Sequence, residues 1–518
     1  MGLSHCIFGA HSVRIMAEAV SLRKNMVANF VGRSLVGLMG FLFVPLYLKY
    51  MGAESYGLIG FWTTLAGVFA VFDCGVRATL NREIARLSGT PGGAEKIPEL
   101  LFTFERINWA VGAAIGSIVA VLSGPIAHHW IHAAKLSEAV VQHAVLLIGL
   151  AILLEWPWAL YKEGLNGLQC QVVQNVISVS MTAIRNIGVL GILVWISPTV
   201  TAFLVWQIGA YAVQFWVSRT VLWRLTPSSN TPRQFRAEVL RPLWRFAAGM
   251  GGITLTGIIL AQADSIILSK MIPLDQFGYY SLAKSVVAGL TMLAAPVFVA
   301  VYPRLSQLIA MGEHQHACRL YHLSCQIVAI SVLPTAIVAG VFSDQIITLW
   351  TRNAELAVHV HTLVSVLAIG AALNLLMSVP YALQYASGWT SLVFWMNVFC
   401  IVLLVPAMIA SVLRWGPVGA ATAGAIVNGL YVLVAVTLMH RRLLRGQTWR
   451  WYIEDAILPC AAATATVTVG RLLIARNLKP IFALPEIFIV LLAAFVASAG
   501  AASSIRCEIR VRLASRWR

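Results

Sequence analysis

Apolar residues arrive along this chain in long runs separated by short polar breaks, and the pattern continues from one end to the other. A helix of about 20 apolar residues spans the ~30 Å hydrocarbon core of a bilayer. Fourteen runs meet that length: 25–49, 56–80, 107–127, 140–161, 170–196, 199–218, 246–269, 278–302, 322–343, 357–385, 390–413, 417–439, 454–474 and 482–505. The breaks carry turn residues and charges, as at 88–95 and 226–236. The pattern predicts an all-α fold: a polytopic transmembrane protein of 12–14 helices.

Composition sharpens this. Of 518 residues, 59% are hydrophobic and 11% charged, where soluble domains carry about 25% charge. A mean hydropathy of +0.81 over the whole length excludes a water-soluble fold. The net charge of +17 would suggest nucleic acid in a soluble protein, but here the basic residues fill short loops. With the N-terminus inside, 26 of the 37 Lys and Arg fall in cytoplasmic segments, 8 in outer loops, and 3 within spans. That bias predicts a multi-pass protein of the inner (plasma) membrane with both termini and the segment 219–245 in the cytoplasm. The outer loop holding Arg471, Arg476 and Lys479 is the exception. The stretch 1–24 reads as a cytoplasmic lead-in without a cleaved signal. Cys6 stands where a myristoylation motif needs Ser or Thr. The eight cysteines include no CxxC pair and read as small hydrophobes.

A faint internal repeat appears on shifting the numbering by 221: Lys49 falls on Lys270, Glu54 on Asp275, Tyr56 on Phe277 and Gly57 on Gly278. Six spans separate the copies, so the halves would insert with the same orientation. The expected organisation is a lead-in (1–24), a six-helix N-lobe (25–237), a six-helix C-lobe (238–445), two further helices (446–505) and a basic tail (506–518).

A charge at the bilayer centre costs at least ~2.5–3.5 kcal/mol, so each one calls for a partner or a wet cavity. Arg185 lies near the middle of the fifth span, on one helical stripe with Asn175, Ser178 and Thr182. Placing the preceding turn near position 165 puts Glu155 beside Asn175, about ten residues from Arg185. Arg185 then faces a pathway or bonds to a distant helix. Arg33 shares a face with Asn25 and Asn29 and stands at the depth of Asp73, for which Arg77 competes. An ion pair and a ligand-binding Arg33 are both open. Asp264 and Lys284 are equally far from the turn near 274 and form a candidate pair, a clamp or an ion-coupled switch. Pro45, Pro296, Pro334, Pro380 and Pro406 are candidate bends, and His128, His129, His132, His314 and His316 read as solvated loop residues. There is no HExxH, GxSxG or Walker loop, so no metalloenzyme, hydrolase or ATP site is expected, and no cofactor.

The segment 29–89, with Pro45-Leu46, Gly52, Tyr56-Gly57, Asp73, Gly75 and Asn81-Arg82, resembles the opening of the polysaccharide-biosynthesis, O-antigen-type flippases of the multidrug/oligosaccharidyl-lipid/polysaccharide exporter superfamily. ADSIILSK (263–270), FGYYSLA (277–283), YPRLSQL (302–308) and FSDQIITLW (342–350) extend the resemblance, in order, across 25–440. It implies two six-helix lobes around a central cavity, alternating access, and export of undecaprenyl-pyrophosphate-linked oligosaccharide from inner to outer leaflet. It implies cationic residues that hold the pyrophosphate; Arg33 lies in a position resembling the basic site of the lipid-linked peptidoglycan precursor flippases. The two extra C-terminal helices are also similar to that subgroup. Arg suits such a head, being permanently charged and forked. Energy would enter by an ion gradient, of protons or sodium with Asp73 or Asp264 as the site, or by the membrane potential. A cation-coupled multidrug exporter of the same fold, and a membrane polysaccharide polymerase or ligase, are the competing readings. The first would favour an acidic cavity, and the second a long outer loop that this chain lacks.

Overall fold

The protein is described by a computed structural model covering residues 22–73, 75–226, 235, 241–473 and 480–506, with side chains for all but 22–24, 26–27, 241–251 and 480–482. Most of the expected lead-in, the basic stretch 227–240 apart from residue 235, Arg476, Lys479 and the tail beyond Arg506 lie outside the described residues.

Among the described residues the regular structure is helical. In chain order the helices are α1 (Leu22–Phe69), α2 (Val76–Ser88), α3 (Ile97–His129), α4 (Glu138–Gly167), α5 (Gln171–Trp195), α6 (Val200–Leu225), α7 (Arg241–Met271), α8 (Leu274–Ala288), α9 (Thr291–Ala310), α10 (His314–Val341), α11 (Ser343–Thr351), α12 (Ala354–Leu376), α13 (Ser378–Ala386), α14 (Thr390–Leu443), α15 (Thr448–Leu473) and α16 (Pro480–Ala501). Among the described residues, twelve helical stretches are long and apolar enough to cross a membrane. Two of them, Ala28–Asp73 and Thr390–Leu443, run 46 and 54 residues, about 70–80 Å if straight and more than twice a bilayer core. Each is folded at a glycine that only a residue without Cβ adopts readily: Gly52 (φ 81, ψ 172) and Gly416 (φ 58, ψ −145). The chain is thus a multi-pass membrane protein, and the two folded helices raise the crossings toward the fourteen apolar runs.

Several details depart from the pattern. The helices run through Pro45, Pro296, Pro334 and Pro406; the non-helical residues inside α1 and α14 are glycines. The expected span 278–302 is broken at Gly289–Leu290. His314 and His316 form the first turn of α10, and His128 and His129 the last turn of α3, rather than loops. Turns are closed by local polar groups: Ser137 accepts from the Val140 N–H and Thr199 from the Ala202 N–H. Glu54 accepts from the backbone of Ala134, Lys135 and Leu136 at 2.9–3.0 Å and so fixes the α3–α4 connection.

The chain divides into two compact units, Met1–Thr254 and Leu255–Arg518. In the first, α4 lies centrally against α2, α3 and α6, while α5 packs along α1. Its apolar core includes Leu80, Ile84, Leu101, Phe104, Tyr161 and Leu222. In the second, α10 packs against α9, α12, α15 and α16. Val338 and Phe342 meet Val467, Ile487, Val490 and Ala494, so the last two helices belong to this unit's core. Large apolar side chains face outward, Trp195 at 84% and Leu473 at 80% exposure, as lipid contact permits and water does not.

Candidate functional site

Several polar side chains of the N-terminal unit meet between α1, α4, α5 and α6. At one end of the α1–α5 seam, Asn175 donates to Asn29 Oδ1 (2.7 Å) and to the Gln171 carbonyl (2.8 Å), and Asn25 donates to the Gln169 carbonyl (3.3 Å). Toward the other end Tyr47 donates to Asn186 Oδ1 at 2.8 Å. Asn175 is therefore buried and committed to the seam. Ser178 accepts from Gln174 Nε2 at 2.7 Å.

Arg185 lies beside the second of these ends, next to Asn186. Its guanidinium sits 4.5 Å over the Tyr211 ring, with one long bond of 3.4 Å to Thr182 Oγ1. Its carbonyl accepts from the Trp206 indole N–H at 3.1 Å, which holds α5 against α6. No carboxylate forms a salt bridge with it among the described residues. Glu155 nonetheless faces both Arg185 and the Tyr211 hydroxyl, and Arg77 beyond. This corrects the sequence expectation that Glu155 sits beside Asn175. Helix α4 runs on to Gly167 and the turn is made at Gln169 (φ 61), four residues later than expected. Fourteen residues back from that turn is Glu155, and fourteen forward is residue 183, next to Arg185. Tyr211 went unnoticed in the sequence. The signal was there: Gln207, Tyr211, Gln214 and Ser218 recur at helical spacing and are all buried.

Asp73 pairs with Arg77, whose Nε is 3.1 Å from Asp73 Oδ1 and whose guanidinium stacks 4.5 Å over Trp156. The pair meets at ion-pair distance without hydrogen-bond alignment, since Arg77 Nε has no bonded acceptor. Arg33 does not reach Asp73: it is exposed and makes no ion pair among the described residues. Near the end of α2, Asn81 donates to Glu163 at 2.9 Å. Burial pushes the Glu83 carboxyl up, but bonds from Arg86 (2.8 Å) and Arg82 (3.1 Å) outweigh it and hold the group below the usual range. Glu105 receives Arg219 Nε at 2.6 Å and the Trp223 indole at 3.1 Å, tying α3 to α6.

In the C-terminal unit the expected Asp264–Lys284 pair is present at 2.9 Å. Asp264 also receives the Tyr280 hydroxyl at 2.6 Å, and Lys284 donates to Ser265 Oγ at 2.8 Å. Arg471, counted as an outer-loop exception, ends α15 and pairs with Asp344 at 3.0 Å. Sequence reading missed the cluster that roots α15 on α10: His322 to Asp455 at 2.5 Å and Gln326 to Asp455 at 2.8 Å, both ends buried.

Apolar spans with arginine and amide side chains among them define a polytopic membrane protein. Residues 22–309 match the family described as polysaccharide biosynthesis protein, and residues 254–409 match MatE. The first match covers more than half of the sequence, and the chain belongs to the polysaccharide biosynthesis protein family, within the multidrug/oligosaccharidyl-lipid/polysaccharide exporter superfamily. A putative O-antigen transporter of Shigella flexneri is 23% identical over 372 residues, 71% of this chain and 86% of that one. Among solved structures, a lipid II flippase MurJ in an inward closed conformation superposes with a TM-score of 0.70 at 15% identity, covering 92% of this chain and 98% of that one. An inward-facing multidrug resistance MATE family transporter of the MOP superfamily gives 0.65 at 13% identity, covering 79% and 94%. At these identities the structural likeness defines the fold.

Proposed function

We propose that this protein is a flippase of the inner (plasma) membrane. It moves an undecaprenyl-pyrophosphate-linked oligosaccharide from the inner to the outer leaflet by alternating access, without bond chemistry. Residues 25–237 and 238–445 act as its two six-helix lobes, 446–505 as an added helix pair, and both termini are cytoplasmic. The observation that carries the reading is Arg185: a guanidinium at mid-span, held in place by a stacked ring and one long bond, in a member of a polysaccharide biosynthesis family. A sugar-diphosphate head cannot cross hydrocarbon unaided, and a loosely held arginine can meet its phosphates through two parallel bonds. Arg33, exposed on α1, is the second cation for that head, with Ser178 and Thr182 completing the stripe and Asn175 fixing the helix that bears it. The relative named as an O-antigen transporter and the fold shared with a lipid II flippase support the substrate class. An ion gradient of protons or sodium, or the membrane potential, supplies the energy. Asp264 is bonded to both Lys284 and Tyr280, which suits a clamp better than an ion-coupling site.

The test is lipid extraction from a deletion strain. Lipid-linked repeat units should accumulate on the inner leaflet. Normal polysaccharide with new drug sensitivity would instead mark a multidrug exporter, and unpolymerised units on the outer leaflet a polymerase or ligase.

A further inference from the structure

Most described carboxylates of the N-terminal unit have an ion-pair or hydrogen-bond partner. Asp73 has Arg77, Glu83 has Arg82 and Arg86, Glu105 has Arg219, and Glu163 holds the amides of Asn81 and Asn166. Glu155 differs. It lies at mid-span on α4 and forms no salt bridge among the described residues, yet it faces Arg185 on α5, Arg77 on α2 and the Tyr211 hydroxyl on α6. These are the charged and titratable groups turned toward it. Asp73 and Glu163 act on Arg77 in turn, and Tyr47 of α1 acts on Arg185. One turn along the same face of α6 from Tyr211, the Gln214 amide is 1% exposed with both its nitrogen and its oxygen unpartnered. Buried amides are rarely left so.

The same cation therefore has two claimants. An ionised Glu155 would balance Arg185 in the empty unit. A diphosphate brought to Arg185 would place like charge beside that carboxylate and take over its counter-ion, both of which favour the protonated carboxyl. We propose that Glu155 is a proton-binding site linked to anion binding at Arg185: the carboxylate takes up one proton when a prenyl diphosphate head engages the guanidinium. The ligand is a polyprenyl diphosphate and the co-ligand a proton, and the proposal rests on the flippase reading above. By reciprocity, whatever the diphosphate does to the proton the proton does to the diphosphate. Binding then strengthens as pH falls, by at most about tenfold per unit between the pH at which Glu155 titrates in the complex and the lower pH at which it titrates in the empty protein, and is level on either side. Tyr211 positions the two groups, its ring under Arg185 and its hydroxyl toward Glu155.

The experiment is calorimetric titration of the full-length protein in detergent with farnesyl diphosphate, in buffers of different ionisation enthalpy, between about pH 6 and pH 9. Wild type should take up one more proton per bound probe than Glu155→Gln; the probe's own proton exchange is common to both. The variant should bind with the wild type's low-pH affinity at every pH. A second readout needs no variant: the infrared band of a protonated carboxyl should grow when probe is added to wild type. Equal proton counts in the two proteins, or no growth of that band on binding, would overturn the linkage and leave the flippase reading standing. Folded wild type that binds no probe at any pH would remove both the linkage and the Arg185 anion site beneath it.

Discussion

Arginines in this chain fall into two physical kinds, and Arg185 is the instructive one. Arg219 is bonded to a buried carboxylate and an indole stands on the same acid, so its removal strands Glu105. Stranding a buried charge typically costs about 3–5 kcal/mol, and somewhat less here because Arg219 is partly solvated. Arg185 has a stack over Tyr211, worth about 0.5–2 kcal/mol, and one long bond. The two should fail differently. Arg185→Ala is expected to abolish polysaccharide export at a normal protein level in the membrane, and Arg185→Lys, which keeps the charge and loses the fork, to retain a part of it. Arg219→Ala is expected to lower the protein level and the Tm. Immunoblots of membranes beside an export assay decide it: loss of Arg185→Ala protein, or normal export by it, would make Arg185 a structural residue or an idle one.

At the scale of elements, the sequence marked where helices run but not where they turn within a few residues. Apolar runs identified the spans because a bilayer core imposes a length on them. The α4–α5 turn was misjudged by four residues, and that alone moved Glu155 from the neighbourhood of Asn175 to that of Arg185. The pair Asp264–Lys284 was legible because its turn, at Ile272–Pro273, falls within two residues of the expected one near 274. The roots of α15 on α10 were not legible: His322 and Asp455 are 133 positions apart, and no local period connects them. The folding of α1 shows how local chemistry sets a turn inside an apolar stretch. Gly52 has φ 81 and ψ 172, a region costing other residues about 1–3 kcal/mol. Gly40, on the same helix, is helical, and a Cβ there meets nothing within 4 Å. Gly40→Ala is therefore expected to leave stability unchanged or raise it, and Gly52→Ala to lower the Tm, although a Cβ at 52 also has open space. Equal melting of the two variants would mean that the bend at 52 is not strained.

For the whole molecule, the question is which face of the membrane sees which loop, and charge provides the argument. Basic residues resist translocation, so the side with more Lys and Arg stays inside, and only short loops count. The bias of 26 to 8 is carried by clusters at 219–245, 441–450 and 506–518, each next to the end of a span and each separated from the others by an even number of crossings. The loop after α15 argues the other way, with Arg471, Arg476 and Lys479. Arg471, however, is paired with Asp344 at 3.0 Å, so one of the three charges is neutralised within the fold. The last two helices are also held to α10 by Asp455 and by the apolar contacts of Val467, Ile487 and Val490. Those contacts favour two full crossings over a hairpin lying at the surface. Both clusters, 219–245 and 506–518, should then be cytoplasmic. Reporter fusions at positions 230 and 506 are expected to give cytoplasmic signals, and one at 476 a periplasmic signal. A periplasmic signal at 230 would invert the entire arrangement. A periplasmic signal at 506 alone would mean that α15 or α16 does not cross, leaving the first twelve crossings as they are.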